Sequence, residues 1–217
     1  MERIPKHHKS RSPGCTRCTG HRSPDAFVHP PSRVMSNHCA YATRLKDQYW
    51  AYQLLKRKLR TVLACRAIKT LRPKELCNLY FSLHRESPVS GLVPSITAMP
   101  QARESFLYMA LFASIYRSAC PGDIRSEIDL NAMIFAWDTF CAFYTNHIQE
   151  RRPFGRIRPA NFDEAWIITE ALKDGLAVLP YCTTCHTPYL VIHGCKYQQV
   201  CQMCVLNQMR KSKYLIG

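Results

Sequence analysis

The sequence predicts a mainly α protein, in which a helical N-terminal domain is followed by a small C-terminal domain with four cysteine ligands. Three observations lead to this prediction. From about residue 44 to residue 172, apolar residues recur at the three- and four-residue spacing of amphipathic helices. Two Cys-x-x-Cys motifs then follow near the end of the chain. The segment between those motifs is short and rich in β-prone residues.

The two motifs are Cys182-Thr-Thr-Cys185 and Cys201-Gln-Met-Cys204. Paired cysteines at this separation are typical of one structural zinc ion, because Zn²⁺ prefers a tetrahedral shell of thiolates. Four thiolates leave no open position, so the site is expected to stabilise a fold rather than to catalyse a reaction. The sequence therefore predicts one Zn²⁺ per chain in a zinc-ribbon-like domain.

The residues between the two motifs favour a ribbon. Tyr189-Leu-Val-Ile-His193 is β-prone, and Tyr197-Gln-Gln-Val200 is a candidate returning strand. Gly194 suits a turn between them. Three nearby side chains are alternative ligands: His186, His193 and Cys195. The simpler interpretation is that the two histidines face solvent and that the cysteine is a spare thiol.

Other interpretations of the cysteines remain open at this stage. A redox Cys-x-x-Cys pair usually lies at a strand-to-helix junction, and no βαβ pattern is visible here. A disulfide framework would be expected in a secreted protein, but the N-terminus is polar and basic, without the apolar core of a signal peptide. A third pair, Cys15 and Cys18, lacks further ligands at convincing spacing. The sequence has no apolar run long enough to span a bilayer, so a cytoplasmic location and no membrane partner are predicted.

The helices are delimited by recognisable residues. One apolar helical stripe is formed by Leu45, Tyr49, Tyr52, Leu55, Leu59, Val62 and Leu63, and the chain is expected to break at 69–72. Pro73 suits the first turn of the next helix, and Ser126 suits a later cap. Asn161 and Glu164 have the spacing of a capping box, and Gly175 suits the end of that helix.

The charge of the chain favours a polyanionic partner. Thirty Lys and Arg stand against 15 Asp and Glu, a formal net charge of +15. Neutralising phosphates releases condensed counterions, so such an excess favours nucleic acid; a basic tail or membrane-surface binding are the alternatives. The candidate DNA contacts are Lys56, Arg57, Lys58, Arg60, Lys69, Arg72, Lys74, Arg151, Arg152, Arg156, Arg158, Arg210, Lys211 and Lys213.

Several of these cations lie on two helices that resemble a helix-turn-helix. The competing interpretation is an ordinary helical hairpin with a solvated basic face. The sequence has no phosphate-cradling glycine motif and no marked nucleophile or carboxylate pair, which predicts that the protein is not an enzyme.

From about residue 51 to residue 213 the chain resembles the FlhC family, subunits of the bacterial flagellar master transcriptional activator. Leu79-Tyr-Phe-Ser-Leu83, followed by the Pro-rich loop Ser87–Ser95, is similar to a helix and loop of that family. The helix around Met109–Phe112 and the helix beginning Asp163-Glu-Ala-Trp166 come in the same order. Cys182, Cys185, Cys201 and Cys204 match the family's four zinc cysteines.

The resemblance implies a DNA-binding activator subunit that acts with FlhD, in a complex of four FlhD and two FlhC subunits, at flagellar (class II) promoters with RNA polymerase. A zinc ribbon that binds only other proteins is the alternative. Three parts are expected: a disordered basic extension (1–43), a helical domain with the helix-turn-helix-like hairpin and the partner interface (44–160), and a helix with the zinc domain and basic tail (161–217).

Overall fold

The computed structural model describes the backbone of residues 33–149, 157–196, 200–205 and 207–208, and the side chains of all of these except 33–38 and 144–149. The elements in chain order are α1 (Arg33–Lys56), α2 (Thr61–Ala67), α3 (Pro73–His84), α4 (Arg103–Ala119), α5 (Leu130–Gln149), α6 (Phe162–Lys173), β1 (Ala177–Val178) and β2 (Val191–Ile192). The mainly helical fold predicted from the sequence is confirmed. None of the helices in these ranges is long and apolar enough to cross a bilayer.

The apolar stripe predicted as one helix is divided between α1 and α2. α1 begins at Arg33, before the expected boundary at residue 44, and residues 1–32 lie outside the described chain. It ends where Lys58 adopts a left-handed φ of 63°. Lys58 N–H donates to Leu55 O at 2.8 Å and Leu59 N–H to Leu54 O at 3.3 Å, which is the bonding of a Schellman motif.

The first three helices contact one another in all three pairings. α3 begins at Pro73 as predicted, and its buried side chains Leu76 and Tyr80 face the other two helices. The His84 ring lies 2.7 Å from Leu55 O, the same carbonyl that accepts from Lys58 N–H at the end of α1. These contacts make α1, α2 and α3 a three-helix unit.

The next three helices form a second group. α4 buries Phe106, Met109 and Tyr116 as the periodicity predicts, and it packs against α5 and α6. α5 does not begin at the predicted cap: Asp129 Oδ1 accepts from Ala132 N–H at 3.0 Å, while the Ser126 hydroxyl bonds back to the preceding turn. An aspartate with its carboxylate at the helix start satisfies an orphan N–H as well as serine would.

α6 connects the helical part of the chain to the cysteine-rich end. Asn161 Oδ1 accepts from Glu164 N–H at 3.0 Å, as the capping box predicts. Glu164 does not complete the box, because its carboxylate bonds Ala160 N–H and the Arg158 guanidinium instead. Trp166 is buried, and the helix packs against α4, α5 and β1.

β2 pairs with a strand that the sequence did not predict. β2 lies within the expected strand 189–193, but its antiparallel partner is β1, with Ala177 opposite Ile192 and Val178 opposite Val191. Of the expected partner 197–200, residues 197–199 lie outside the described part of the chain. The β1–β2 pair therefore encloses the first Cys-x-x-Cys motif and does not lie between the two motifs.

One hydrophobic cluster runs through the described chain. It includes side chains from α1 to α6 and also Ala177, Leu190 and Ile192 from the cysteine-rich end. The cluster is thus continuous across the domain boundary expected near residue 160. Apolar burial is worth roughly 25 cal/mol per Å², so the cysteine-rich end and the helices stabilise each other.

Candidate metal centre

Four cysteine sulfurs come together at the C-terminal end of the fold. The Sγ atoms of Cys182, Cys185, Cys201 and Cys204 all lie within 4.8 Å of one another. Cys182 Sγ is 3.7 Å from Cys204 Sγ, and Cys185 Sγ is 3.5 Å from Cys201 Sγ. A tetrahedron with 2.3 Å metal–sulfur bonds has edges of about 3.8 Å. The four thiols are therefore spaced to hold one metal ion.

The first motif is a tight turn that directs its sulfurs to one side. Cys182 N–H donates to Thr187 O at 3.0 Å, and His186 N–H donates to Cys182 O at 2.9 Å. His186 has a left-handed φ of 55°, which closes the turn. Thr184 N–H points back to Cys182 Sγ at 3.4 Å. Backbone donors of this kind stabilise a thiolate before any metal binds.

The second motif is held by a residue that sequence reasoning missed. Gln202 lies between the second pair of cysteines and is buried. Its Nε2 donates to Leu190 O at 3.1 Å, and its Oε1 accepts from Leu190 N–H at 3.3 Å. The side-chain amide thus pairs with one backbone residue beside β2, as a neighbouring strand would, and fixes Cys201 and Cys204 opposite the first motif.

The four thiols differ in how their surroundings shift their pKa values. Hydrogen bonds from Thr187 lower the pKa of Cys185 to about 6, and backbone N–H groups of residues 185 and 184 lower that of Cys182. Hydrogen bonds from its sulfur neighbours raise the pKa of Cys204 to about 12, and burial raises that of Cys201. Four adjacent thiolates repel one another, so full ionisation requires a cation at the centre.

The alternative ligands do not join this group. Among the described residues, the only cluster of metal-ligating side chains is the four cysteines, and it excludes His186, His193 and Cys195. Both histidines are exposed, as the simpler interpretation expected. Cys15 and Cys18 lie outside the described residues.

The predicted DNA contacts divide into two kinds. Arg57 makes a two-pronged ion pair with Asp138, with Nε–Oδ1 at 2.9 Å and Nη2–Oδ2 at 2.6 Å. Arg60 binds Asp163 with both its side chain, at 2.9 Å, and its backbone N–H, at 2.8 Å. Together with Arg158, which is buried against Glu164, these guanidinium groups are committed to contacts inside the protein.

The remaining candidates in the described chain are exposed: Lys56, Lys58, Lys69, Arg72 and Lys74. Lys58 reaches Glu86 at 2.9 Å, and this hydrogen-bonded ion pair raises the pKa of Lys58. The other four lie on or between α1, α2 and α3 along the chain. Six candidates lie outside the described residues: Arg151, Arg152, Arg156, Arg210, Lys211 and Lys213.

No family model matches the chain, and a search of curated proteins gives no significant match.

Proposed function

We propose that the four cysteines hold one structural Zn²⁺. Tetrahedral four-sulfur sites suit zinc or iron–sulfur chemistry, and zinc is the usual occupant of two Cys-x-x-Cys turns at this separation. Cys182 and Cys201 are buried, and each motif is fixed by backbone or side-chain hydrogen bonds. Such a closed and rigid shell suits a structural ion, because a catalytic zinc keeps one position open.

We further propose that the protein is a DNA-binding transcriptional activator subunit of the FlhC type, working with an FlhD-like partner at flagellar promoters. The observation that carries this proposal is a strongly basic chain, at +15, built around a four-cysteine site and a three-helix unit with exposed cations. The counterion release that accompanies phosphate binding makes DNA the favoured polyanion. The family is chosen because several motifs that resemble FlhC occur in this chain in the same order.

One helix face supports the need for a protein partner. α1 exposes four large side chains at spacings of four, four and three residues: Tyr41 (71%), Leu45 (56%), Tyr49 (54%) and Tyr52 (40%). These residues form one continuous apolar stripe on a helix surface. A stripe of this kind is costly to leave in water, and the proposal assigns it to the contact with the FlhD-like subunit.

Titration of a fluorescent flagellar promoter duplex, with and without an FlhD-like protein, tests the activator proposal. We expect the logarithm of the binding constant to fall linearly with the logarithm of salt concentration, because binding releases counterions from the phosphates. A poly-glutamate competitor serves as a control for general polyanion binding. Binding that is absent at every salt concentration, even with the partner, contradicts the proposal.

The alternative is a zinc ribbon that binds only another protein. Tyr181 (71% exposed), Val200 (42%) and Met203 (42%) place apolar surface beside the cysteines, which favours such a contact. The salt series separates the two functions. Affinity for a protein through apolar surface changes little with salt, whereas affinity for DNA falls steeply.

A further inference from the structure

Helix α3 has one face that no other part of the described chain covers. Pro73 begins this helix, and the exposed residues on the outer face recur at three- and four-residue spacing: Lys74, Asn78, Phe81, Ser82 and Arg85, the last at the helix end. The opposite face carries Leu76 and Tyr80, which are buried against α1 and α2. Phe81 is 52% exposed although it is a large aromatic side chain. The solvent face is therefore mixed, with two cations, two short polar groups and one ring.

The charges around this face leave it positive. Within the described chain no carboxylate pairs with Lys69, Lys74 or Arg85. Three carboxylates lie beside these cations, and each has a partner. Glu75 pairs with Arg44 at 3.0 Å and also accepts from the backbone at the start of α3. Glu86 pairs with Lys58 at 2.9 Å, and Asp47 accepts from the Thr70 hydroxyl. The hydrogen bond from Arg72 N–H lowers the pKa of Glu75, so this carboxylate stays ionised and paired.

α2, its connecting segment and α3 follow one another in the order of a helix-turn-helix. In the connecting segment Ile68 and Leu71 are buried while Lys69 and Arg72 point outward. In helix-turn-helix proteins the second helix enters the major groove and the preceding helix crosses the backbone. The outward cations then lie beside the start of the second helix, where the flanking phosphates run.

We infer that α3 is the recognition helix of this protein and that its outer face reads base edges in the major groove of duplex DNA. This inference rests on the proposed function. Three side chains on this face can bind base edges in the major groove. Asn78 suits adenine, Lys74 suits guanine, and the Phe81 ring can contact the methyl group of thymine. From Lys74 to Ser82 the helix rises about 12 Å, which spans roughly four base pairs. Lys69, Arg72 and Arg85 bind phosphates on either side.

The test begins with the full-length protein and a pool of random-sequence duplexes, from which it selects its preferred site. Two α3 variants, Asn78→Ala and Lys74→Ala, are then compared with matched controls, Asn131→Ala on α5 and Arg125→Ala in the turn before it. All four positions are exposed, so the variants are expected to fold, which circular dichroism checks. The partner protein is added to every titration.

Asn78→Ala is expected to weaken binding to the selected duplex roughly tenfold to a hundredfold and to leave binding to unselected duplex unchanged. Lys74→Ala is expected to weaken binding to the selected duplex and to relax selectivity at one guanine. A uniform loss on selected and unselected duplex would instead make Lys74 a phosphate contact and contradict its base-reading role. Asn131→Ala and Arg125→Ala should bind like the parent protein.

The outcomes separate this inference from the proposed function. If the parent protein selects a site and both α3 variants match their controls, α3 is not the recognition helix and the activator proposal stands. If the α3 variants lose the protein partner but keep DNA, the face is a protein surface and the inference is wrong. If the parent protein binds no duplex at all, the recognition-helix inference and the activator proposal are both wrong.

Discussion

Within the cysteine cluster, each sulfur depends on a small number of backbone and side-chain contacts. The positions of the four ligands were predictable because the spacing of a Cys-x-x-Cys turn forces its two sulfurs toward one point. The role of Gln202 was not predictable. Nothing in the sequence distinguishes a glutamine whose side chain binds the Leu190 backbone from one that faces solvent. Groups that orient metal ligands in this way commonly change metal affinity tenfold to a hundredfold when they are lost.

Removing one thiolate from each motif tests the zinc assignment. We expect the purified protein to contain about one zinc per chain, and Cys182→Ser and Cys201→Ser to lose it, since a hydroxyl is a poor substitute for a thiolate ligand. Cys195→Ser is the control, because this cysteine lies outside the four-sulfur group. Elemental analysis gives the metal content. Zinc retained in both ligand variants would place the ion elsewhere, and iron in its stead would contradict the zinc assignment.

Among the helices, the sequence predicted which segments are helical better than it predicted the residues at which the helices begin and end. α3 and α6 begin close to the expected residues because Pro73 and Asn161 are specific start signals. The end of α1 was missed because Lys58, rather than glycine, occupies the left-handed position of the Schellman motif. The partner of β2 was also missed, since a two-residue strand carries no periodicity by which to choose it.

Ion pairs between the two helix groups were likewise invisible to sequence reasoning. Arg57 joins α1 to α5, while Arg60 and Arg66 join the α2 region to α6. Charge count alone had assigned Arg57 and Arg60 to DNA. Their carboxylate partners are 81 and 103 residues away in the chain, so no local pattern pairs them. Among the eight candidate DNA contacts in the described residues, three arginines thus lie in ion pairs inside the protein: Arg57, Arg60 and Arg158.

The buried pair and the exposed pair on α6 should differ in their effect on stability. Arg60→Met leaves the Asp163 carboxylate, whose side chain is 9% exposed, without its guanidinium partner, and burial already raises the pKa of this group. We expect a loss of about 3 kcal/mol. The matched control is Arg66→Met, whose guanidinium is 51% exposed beside Glu170; it should cost less than about 1 kcal/mol.

Urea unfolding followed by tryptophan fluorescence measures both variants. Equal and small losses would mean that Asp163 finds enough other donors to tolerate the missing partner. The Arg60 backbone N–H at 2.8 Å is the one donor that the substitution retains. A large loss in Arg66→Met would show that the α2–α6 contact is more buried in solution than its exposure indicates.

For the whole molecule, the shared hydrophobic cluster determines how loss of the metal affects the stability of the fold. Leu190 and Ile192 are fully buried in the same cluster as Trp166 of α6. An ion that fixes the positions of the four cysteines therefore also stabilises the part of the hydrophobic core that Leu190 and Ile192 share with the helices. The division into three parts expected from the sequence stays a prediction. Burial that is shared between segments leaves no signal in the pattern of either segment.

Removal of the metal is accordingly expected to lower the stability of the entire chain. A ligand at a thousandfold excess over its Kd stabilises the native state by about 4 kcal/mol, and for a chain of this size each kcal/mol shifts Tm by roughly 2–4 °C. A chelator should thus lower the midpoint of the helical circular-dichroism signal by about 10 °C, because the loosened cysteine end uncovers Leu190, Ile192 and the adjoining surface of α6. Readdition of zinc should restore the midpoint, whereas magnesium, which prefers oxygen ligands, should not. An unchanged helical midpoint, with loss of signal confined to the cysteine end, would mean that the two ends of the cluster unfold independently.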